Sequence, residues 1–383
     1  MVLIAVPGIA NAQGEVRYGA DASASVGYST NPFSEPTNNT GSALTEIQFS
    51  PRISLVNEHS VFTLSGTGQY QRYFRRYGNS YSYGTGLDYS GRPSERIKSH
   101  LYIRYDSSVI GGSDFASGPI DPTLPVIPVL SGPDILLFGT RGRRRTLRGG
   151  GDVTYALSAR DQLGASAYYI SSRYSRLGAL GNNDGYGGSL GYSRQLTQHL
   201  QLGSQMAVAR YDYQGALGST TVLSPQLSFA TTLGPRWKAD GALGVSFVNA
   251  TNGGTGTSLS GNLRLCRATL RSSLCLAAQR AVLPTGLSGT QNVTSADASY
   301  SYKVSERGTI SASAGYTSNA NSQLLIASQN QYVRGSIAYE HVLRERLRLI
   351  VSTQYRQVFG GLVNRSADVG GRVGIAVRLG DIR

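Results

Sequence analysis

No apolar run in this sequence approaches the ~20 residues that a membrane-spanning helix requires, although 40% of its 383 residues are hydrophobic. Crossing a membrane by helices is therefore excluded. Methionine is scarce (2) beside 48 Gly and 24 Tyr, and a chain poor in helix formers but rich in small and amphipathic residues favours strands. The 4 His give no catalytic lead: His59, His199 and His341 fall at short turns and His100 low on a strand, none beside a Ser or Cys nucleophile constellation. No Gly-rich phosphate loop joins a strand to a helix, and 2 Cys are too few to hold a metal ion by themselves. Neither an enzyme nor a cofactor or metal is expected. Acidic residues are also few, 22 against 36 Lys and Arg, for a net charge of +14 and a pI near 9.8. That balance suits nucleic acid, but the arginines are scattered through strands and not gathered on one helix or tail, so no nucleic-acid partner is expected.

What is present is a repeat. Residues 1–12 form a short apolar segment ending in Ala10-Asn11-Ala12, a small-x-small signal-peptidase pattern. They are expected to be the residue of a signal peptide, with a single domain over 13–383; a buried first strand is the alternative. From there an aromatic, a polar turn and an alternating strand recur, most clearly in Tyr155-Ala-Leu-Ser-Ala-Arg160-Asp161 and Tyr302-Lys-Val-Ser-Glu306-Arg307. Turn centres fall near residues 58, 94, 160, 198, 235, 270, 306 and 344. The usual interval of about 36 residues is one β-hairpin of two tilted membrane-spanning strands. A propeller blade has a similar period but needs four short strands. The spacing predicts an all-β, antiparallel up-and-down transmembrane barrel of about 18 strands (16–18), with short periplasmic turns and longer extracellular loops. The longer connections fall near 30–42, 76–81, 110–144, 176–184, 214–219, 250–257, 284–291, 319–328 and 361–366.

Alternation assigns the faces. Ile47, Phe49, Ile53 and Leu55 share one face of their strand, and Glu46, Gln48, Ser50, Arg52 and Ser54 the other. Alternation also suits a soluble sandwich; the aromatics discriminate better. Tyr28, Phe74, Tyr105, Tyr174, Tyr213, Phe247, Tyr316 and Tyr355 end rising strands, while Phe49, Tyr89, Tyr155, Tyr192, Phe229, Tyr302 and Tyr339 end descending ones. Two girdles at the two membrane interfaces are expected, with ordinary cross-strand packing as the alternative.

Val26-Gly-Tyr28-Ser-Thr-Asn31-Pro32-Phe33 and the repeated Tyr-x-Leu-Ser-x-Arg turn resemble the β-barrel porin 2 group of proteobacterial outer-membrane proteins, some of which accompany exopolysaccharide export genes. The resemblance implies outer-membrane residence in a Gram-negative bacterium and insertion by the barrel-assembly machinery. One departure is that the last strand is followed by Gly380-Asp-Ile-Arg383 and not by a terminal aromatic.

Four features bear on function. The long third loop, 110–144, is proline-interrupted and carries the apolar stretch Leu124 to Leu130; it is read as an inward constriction, an extracellular cap or a subunit contact. Arg141, Arg143, Arg144, Arg145 and Arg148 follow it as a rim cluster that binds lipopolysaccharide phosphates, steers anions or is merely solvated. Arg52, Arg72, Lys98, Arg104, Arg334, Arg346, Arg348, Arg356, Arg372 and Arg378 are placed on the lumen face, with Glu46, Asp106 and Glu340 as counter-charges. They either favour anions in a confined passage or brace the wall in ion pairs. Cys266 and Cys275 flank one turn and are expected to form a disulfide. The leading reading is a porin-like channel for passive diffusion of small, preferentially anionic solutes. The alternatives are a conduit or accessory for acidic exopolysaccharide export and a non-conducting structural barrel or adhesin. Lipid, lipopolysaccharide and anionic solutes or acidic polysaccharide are the partners implied; the oligomeric state is open.

Overall fold

Strand-forming alternation is realised along the whole described chain. The computed structural model describes residues 14–36, 40–112, 134–175, 181–214, 218–251, 254–286, 289–320, 330–360 and 365–380. The signal-like segment and the apolar stretch 124–130 lie outside them. The strands are β1 Glu15–Ser29, β2 Ser42–Val56, β3 Ser60–Tyr73, β4 Asn79–Ser94, β5 Ile97–Val109, β6 Arg143–Ala156, β7 Asp161–Tyr174, β8 Asn183–Gln195 and β9 Leu200–Tyr213. They continue as β10 Ser219–Thr232, β11 Trp237–Ala250, β12 Gly254–Ala268, β13 Ser272–Thr285, β14 Gly289–Lys303, β15 Gly308–Ala320, β16 Asn330–Arg344, β17 Leu347–Gly360 and β18 Asp368–Gly380. Each pairs antiparallel with its neighbours in sequence, and β1 pairs both β2 and β18, closing an 18-stranded up-and-down barrel. A 14-residue strand such as β7, tilted by ~40°, rises roughly 35 Å, enough to cross ~30 Å of hydrocarbon.

One end of the barrel carries short turns because a hydroxyl there replaces missing ladder partners. In the repeated Leu-Ser-x-Arg turn, Ser158 Oγ accepts the N–H groups of Arg160 and Asp161, both at 3.1 Å, and Thr197 Oγ1 accepts those of His199 and Leu200 at 3.2 and 3.0 Å. Cys266 and Cys275 are direct partners across one such hairpin and form a disulfide.

Direct partners in a ladder share a face, so the register fixes what points in and out. Leucines such as Leu227, 71% exposed, and Leu259, 72% exposed, point outward, as a sheet bathed in lipid requires and a soluble one does not tolerate. The inner face is polar and satisfies itself across strands: Ser166 with Ser189, Ser224 with Ser246 and Ser313 with Ser336, each at 2.7 Å. The barrel is of the outer-membrane type.

Two expected girdle members are not on the lipid face. Tyr174 pairs with Arg144 and Tyr213 with Asn183, both on the inner face and both buried. Near the rim the usual alternation inverts: Arg173, Arg210 and Asp212 reach outward, where headgroups and water receive them, and the tyrosines turn in under folded loops.

The wall is interrupted in one place. β12 and β13 pair only from Ala268↔Ser273 to Gly261↔Arg280, whereas β11–β12 pairing continues to Ala250↔Gly254 and β13–β14 pairing to Thr285↔Gly289. Val282 has outward parity yet is 8% exposed, packed with Tyr211, Tyr213, Val222 and Val248 on the inner faces of β9, β10 and β11. The top of the β13–β14 hairpin therefore leaves β12 and tucks inside the barrel.

Candidate functional site: the lumen and its folded extracellular end

Alternation splits the expected arginines into groups. On the inner face lie Arg52, Lys98, Arg104, Arg334, Arg348, Arg356, Arg372 and Arg378. Arg72 does not: it pairs with Thr45 on the outer face, 5.8 Å over the Phe74 ring, because a long guanidinium near the rim reaches the headgroup layer from outside. Arg346 lies in the two-residue turn after Arg344, since a bulge between Val342 and Arg344 ends β16 early. The rim cluster also divides. Arg144 and Arg148 face the lumen, Arg143 and Arg145 face outward, and Arg141 sits in the third connection with Nη2 donating to the Tyr77 carbonyl at 2.7 Å.

Most lumen arginines are paired. Arg348 meets Glu340, Arg334 meets Asp297, Arg264 meets Asp240, Arg104 meets Asp88 and Arg378 meets Asp21, at 2.8 to 3.2 Å. Two further pairs are buried, Arg372 with Glu46 and Arg356 with Asp368. Among the described residues, Arg52, Lys98, Arg148, Lys238 and Lys303 stand exposed on the lumen face without a salt bridge. The charge is distributed unevenly. Strands β16–β18 and β1–β2 carry twelve charged inner-face positions, from Arg334 to Arg52 around the closure, but β7–β10 carry none among the described residues. β8 and β17 lie on opposite sides of the ring, so a charged wall faces an uncharged one. On the uncharged wall Tyr168 and Tyr211 lie flat over glycines: a Cβ on Gly187 would meet the first ring at 2.9 Å and one on Gly185 the second at 2.6 Å.

At the extracellular end, described chain folds in over the lumen. Asp368 Oδ1 accepts from Ser29 Oγ at 2.5 Å and from the Asn31 N–H at 2.9 Å, while Oδ2 accepts from Gln354 and Arg356. Arg356 reaches onward to the carbonyls of Pro32 at 3.0 Å and Gly112 at 2.7 Å. One buried ion pair thus holds the wall, the β1–β2 connection and the start of the third connection. Phe33 from the Asn31-Pro32-Phe33 motif packs on Tyr73 and Tyr77, with Arg141 5.1 Å over its ring.

The rest of the described third connection, 134–142, crosses the mouth. Its 3-10 turn Ile135–Leu137 buries Ile135 against Tyr332 and Val358, inner-face residues of β16 and β17, and Leu137 against Ile110 and Tyr174. Phe138 stands edge-on to Tyr332 at 5.2 Å, and its carbonyl accepts from Arg365 at 2.7 Å. Asp134, 3% exposed, is the junction: Oδ2 accepts from Arg144 at 3.0 Å and Tyr174 at 2.7 Å, and Oδ1 from the N–H of Gly286, at the tip of the tucked hairpin, at 2.8 Å. Burial pushes the Arg365 guanidinium down and the Tyr77 phenol up from their ordinary values, the latter aided by the negative charge of Glu35.

Asp134, Asp368 and Asp297 are absent from the residues singled out by sequence. Asp134 sits in a proline-rich loop without periodicity, and the other two look like ordinary polar members of an alternating strand. The signal that finds them is their register opposite a lumen arginine or a folded loop.

No family model matches the chain, and no curated protein matches it. Solved structures do. The channel OccK2 (OpdF) of Pseudomonas aeruginosa is 13% identical with a TM-score of 0.50, covering 96% of this chain and 98% of its own. The same channel in complex with glucuronate gives 11% identity, 96% and 99% coverage and a TM-score of 0.50. The FrpB iron transporter of Neisseria meningitidis, as apoprotein, is 9% identical with a TM-score of 0.50, over 95% of this chain and 81% of that one. At these identities the likeness is one of fold.

Proposed function

We propose that this barrel is an outer-membrane channel for passive diffusion of small solutes, narrowed at its extracellular end by the third connection and the tucked hairpin, and favouring anions. The observation that carries the reading is the lumen face: mostly polar, most densely charged on one wall, with Arg52, Lys98, Arg148, Lys238 and Lys303 left without a salt bridge among the described residues. In a confined aqueous passage uncompensated guanidinium and ammonium groups concentrate anions and repel cations. Paired arginines contribute little to that field, so the preference is a modest one set by a few residues and not by the full chain charge of +14. The uncharged wall opposite offers tyrosine faces, hydroxyls and amides to the body of a solute whose acidic group is held across the lumen. That a channel of this fold, OccK2, has been crystallised with glucuronate makes an acidic sugar a reasonable first probe.

Planar-bilayer recording tests this directly. The expected result is a stepwise conductance whose reversal potential in a KCl gradient reports chloride as the more permeant ion. A silent barrel would favour a structural or adhesive role, and cation selectivity would overturn the anion preference.

A further inference from the structure

The outward-facing half of the rim cluster lies where a diffusion channel does not need it. Arg145 pairs with Ser107 on one side and Arg173 on the other, and Ser107 pairs with Tyr83, so Tyr83, Ser107, Arg145 and Arg173 form one row on the outer face. Leu147, two residues toward the periplasm on the same face, is exposed, as are Tyr81, Tyr83 and Tyr169. The row therefore sits within the extracellular aromatic girdle, at headgroup depth.

Each guanidinium is differently placed. Arg143 is fixed: it donates to Ser107 Oγ at 3.0 Å and to the Tyr81 carbonyl at 2.8 Å, and lies 4.0 Å over the Tyr81 ring. Arg173 is neutralised by Asp184, with bonds of 2.9 and 2.8 Å. Arg145 is exposed and makes no salt bridge or hydrogen bond among the described residues. Two uncompensated arginines side by side on a lipid-facing wall repel each other unless a fixed anion lies between them. The fixed anions at this depth in the outer leaflet of an outer membrane are the phosphates of lipid A, whose oxygens match the guanidinium fork bidentately.

We propose that Arg143 and Arg145, flanked by Tyr81, Tyr83 and Arg173, bind a phosphate of lipid A from outside the barrel, a site independent of whether the lumen conducts. The test uses the folded full-length barrel in detergent, freed of lipopolysaccharide, with native mass spectrometry reading retention of bisphosphorylated lipid A, fully dephosphorylated lipid A and phosphatidylglycerol. Wild-type protein is expected to retain the bisphosphorylated form in preference to the other two. The doubly substituted Arg143→Gln, Arg145→Gln barrel is expected to lose that retention by about tenfold or more. The control Arg267→Gln, an outward arginine beside Trp237 near the opposite end, should leave it unchanged. Equal retention of the dephosphorylated lipid, equal retention of phosphatidylglycerol, or no effect of the double substitution would each overturn the proposal. The first two comparisons use unmutated protein, so they stand even where a variant folds poorly.

Discussion

At the scale of single residues the two kinds of lumen ion pair have different worth. Arg356 and Asp368 are almost wholly removed from solvent, Asp368 entirely, and removing one partner of such a pair leaves an uncompensated buried charge at a cost of roughly 3–5 kcal/mol. Arg378 and Asp21 lie in the solvated lower lumen, where exposed pairs contribute about 0–1 kcal/mol. Asp368→Asn is therefore expected to lower the urea midpoint of the barrel in lipid vesicles markedly and to make the β1–β2 connection cleavable by protease, because Ser29, Asn31 and Arg356 all converge on that carboxylate. Asp21→Asn should change neither. Equal effects of the two substitutions would remove Asp368 from its role as the hub.

At the scale of elements, the strands and turns were legible and the folded loops were not. Period-two alternation and the Ser and Thr turns place the strands within a few residues, because both signals are local: a hydroxyl caps amides two and three residues away, and the side-chain period is set by the pleat. The tuck of the β13–β14 hairpin is invisible in this way. Val282 occupies the outward position that alternation gives it, and only its packing against β9–β11 shows that the strand has moved inside. The same limit explains Arg72, Tyr174 and Tyr213: at the rim, water and headgroups receive charge on the outer face, so polarity no longer reports direction. Asp134 joins the tucked hairpin to the third connection and to β6 and β7. Asp134→Ala removes acceptors for Arg144, Tyr174 and the Gly286 amide together. The hairpin is then expected to loosen, with larger and noisier single-channel currents and faster hydrogen exchange at the amides of 281–283, 285 and 286. Unchanged currents and exchange would show that the tuck is held by Val282 packing alone.

At the scale of the whole molecule, the net charge of +14 is a poor guide to the field a solute meets. Much of it lies outside the lumen, on the outer rim at Arg72, Arg143 and Arg145 or in turns such as that of Arg346. Within the lumen most arginines face carboxylates at hydrogen-bond distance. Among the described residues the remaining unpaired groups are Arg52 low on β2, Lys98 low on β5, Lys238 low on β11, Lys303 low on β14 and Arg148 higher on β6, so they act along the passage and not at one ring. If they set the selectivity, Arg52→Gln, Lys98→Gln, Arg148→Gln, Lys238→Gln and Lys303→Gln together should bring the reversal potential in a KCl gradient close to zero with little change in conductance, since no wall contact is lost. Substituting the paired Arg334 and Asp297 together, which removes both charges, should leave selectivity as it was. A fivefold variant that stays as anion-selective as the parent would place the filter elsewhere, in the folded mouth around Arg144 and Arg365, and would turn attention from the wall to the loops.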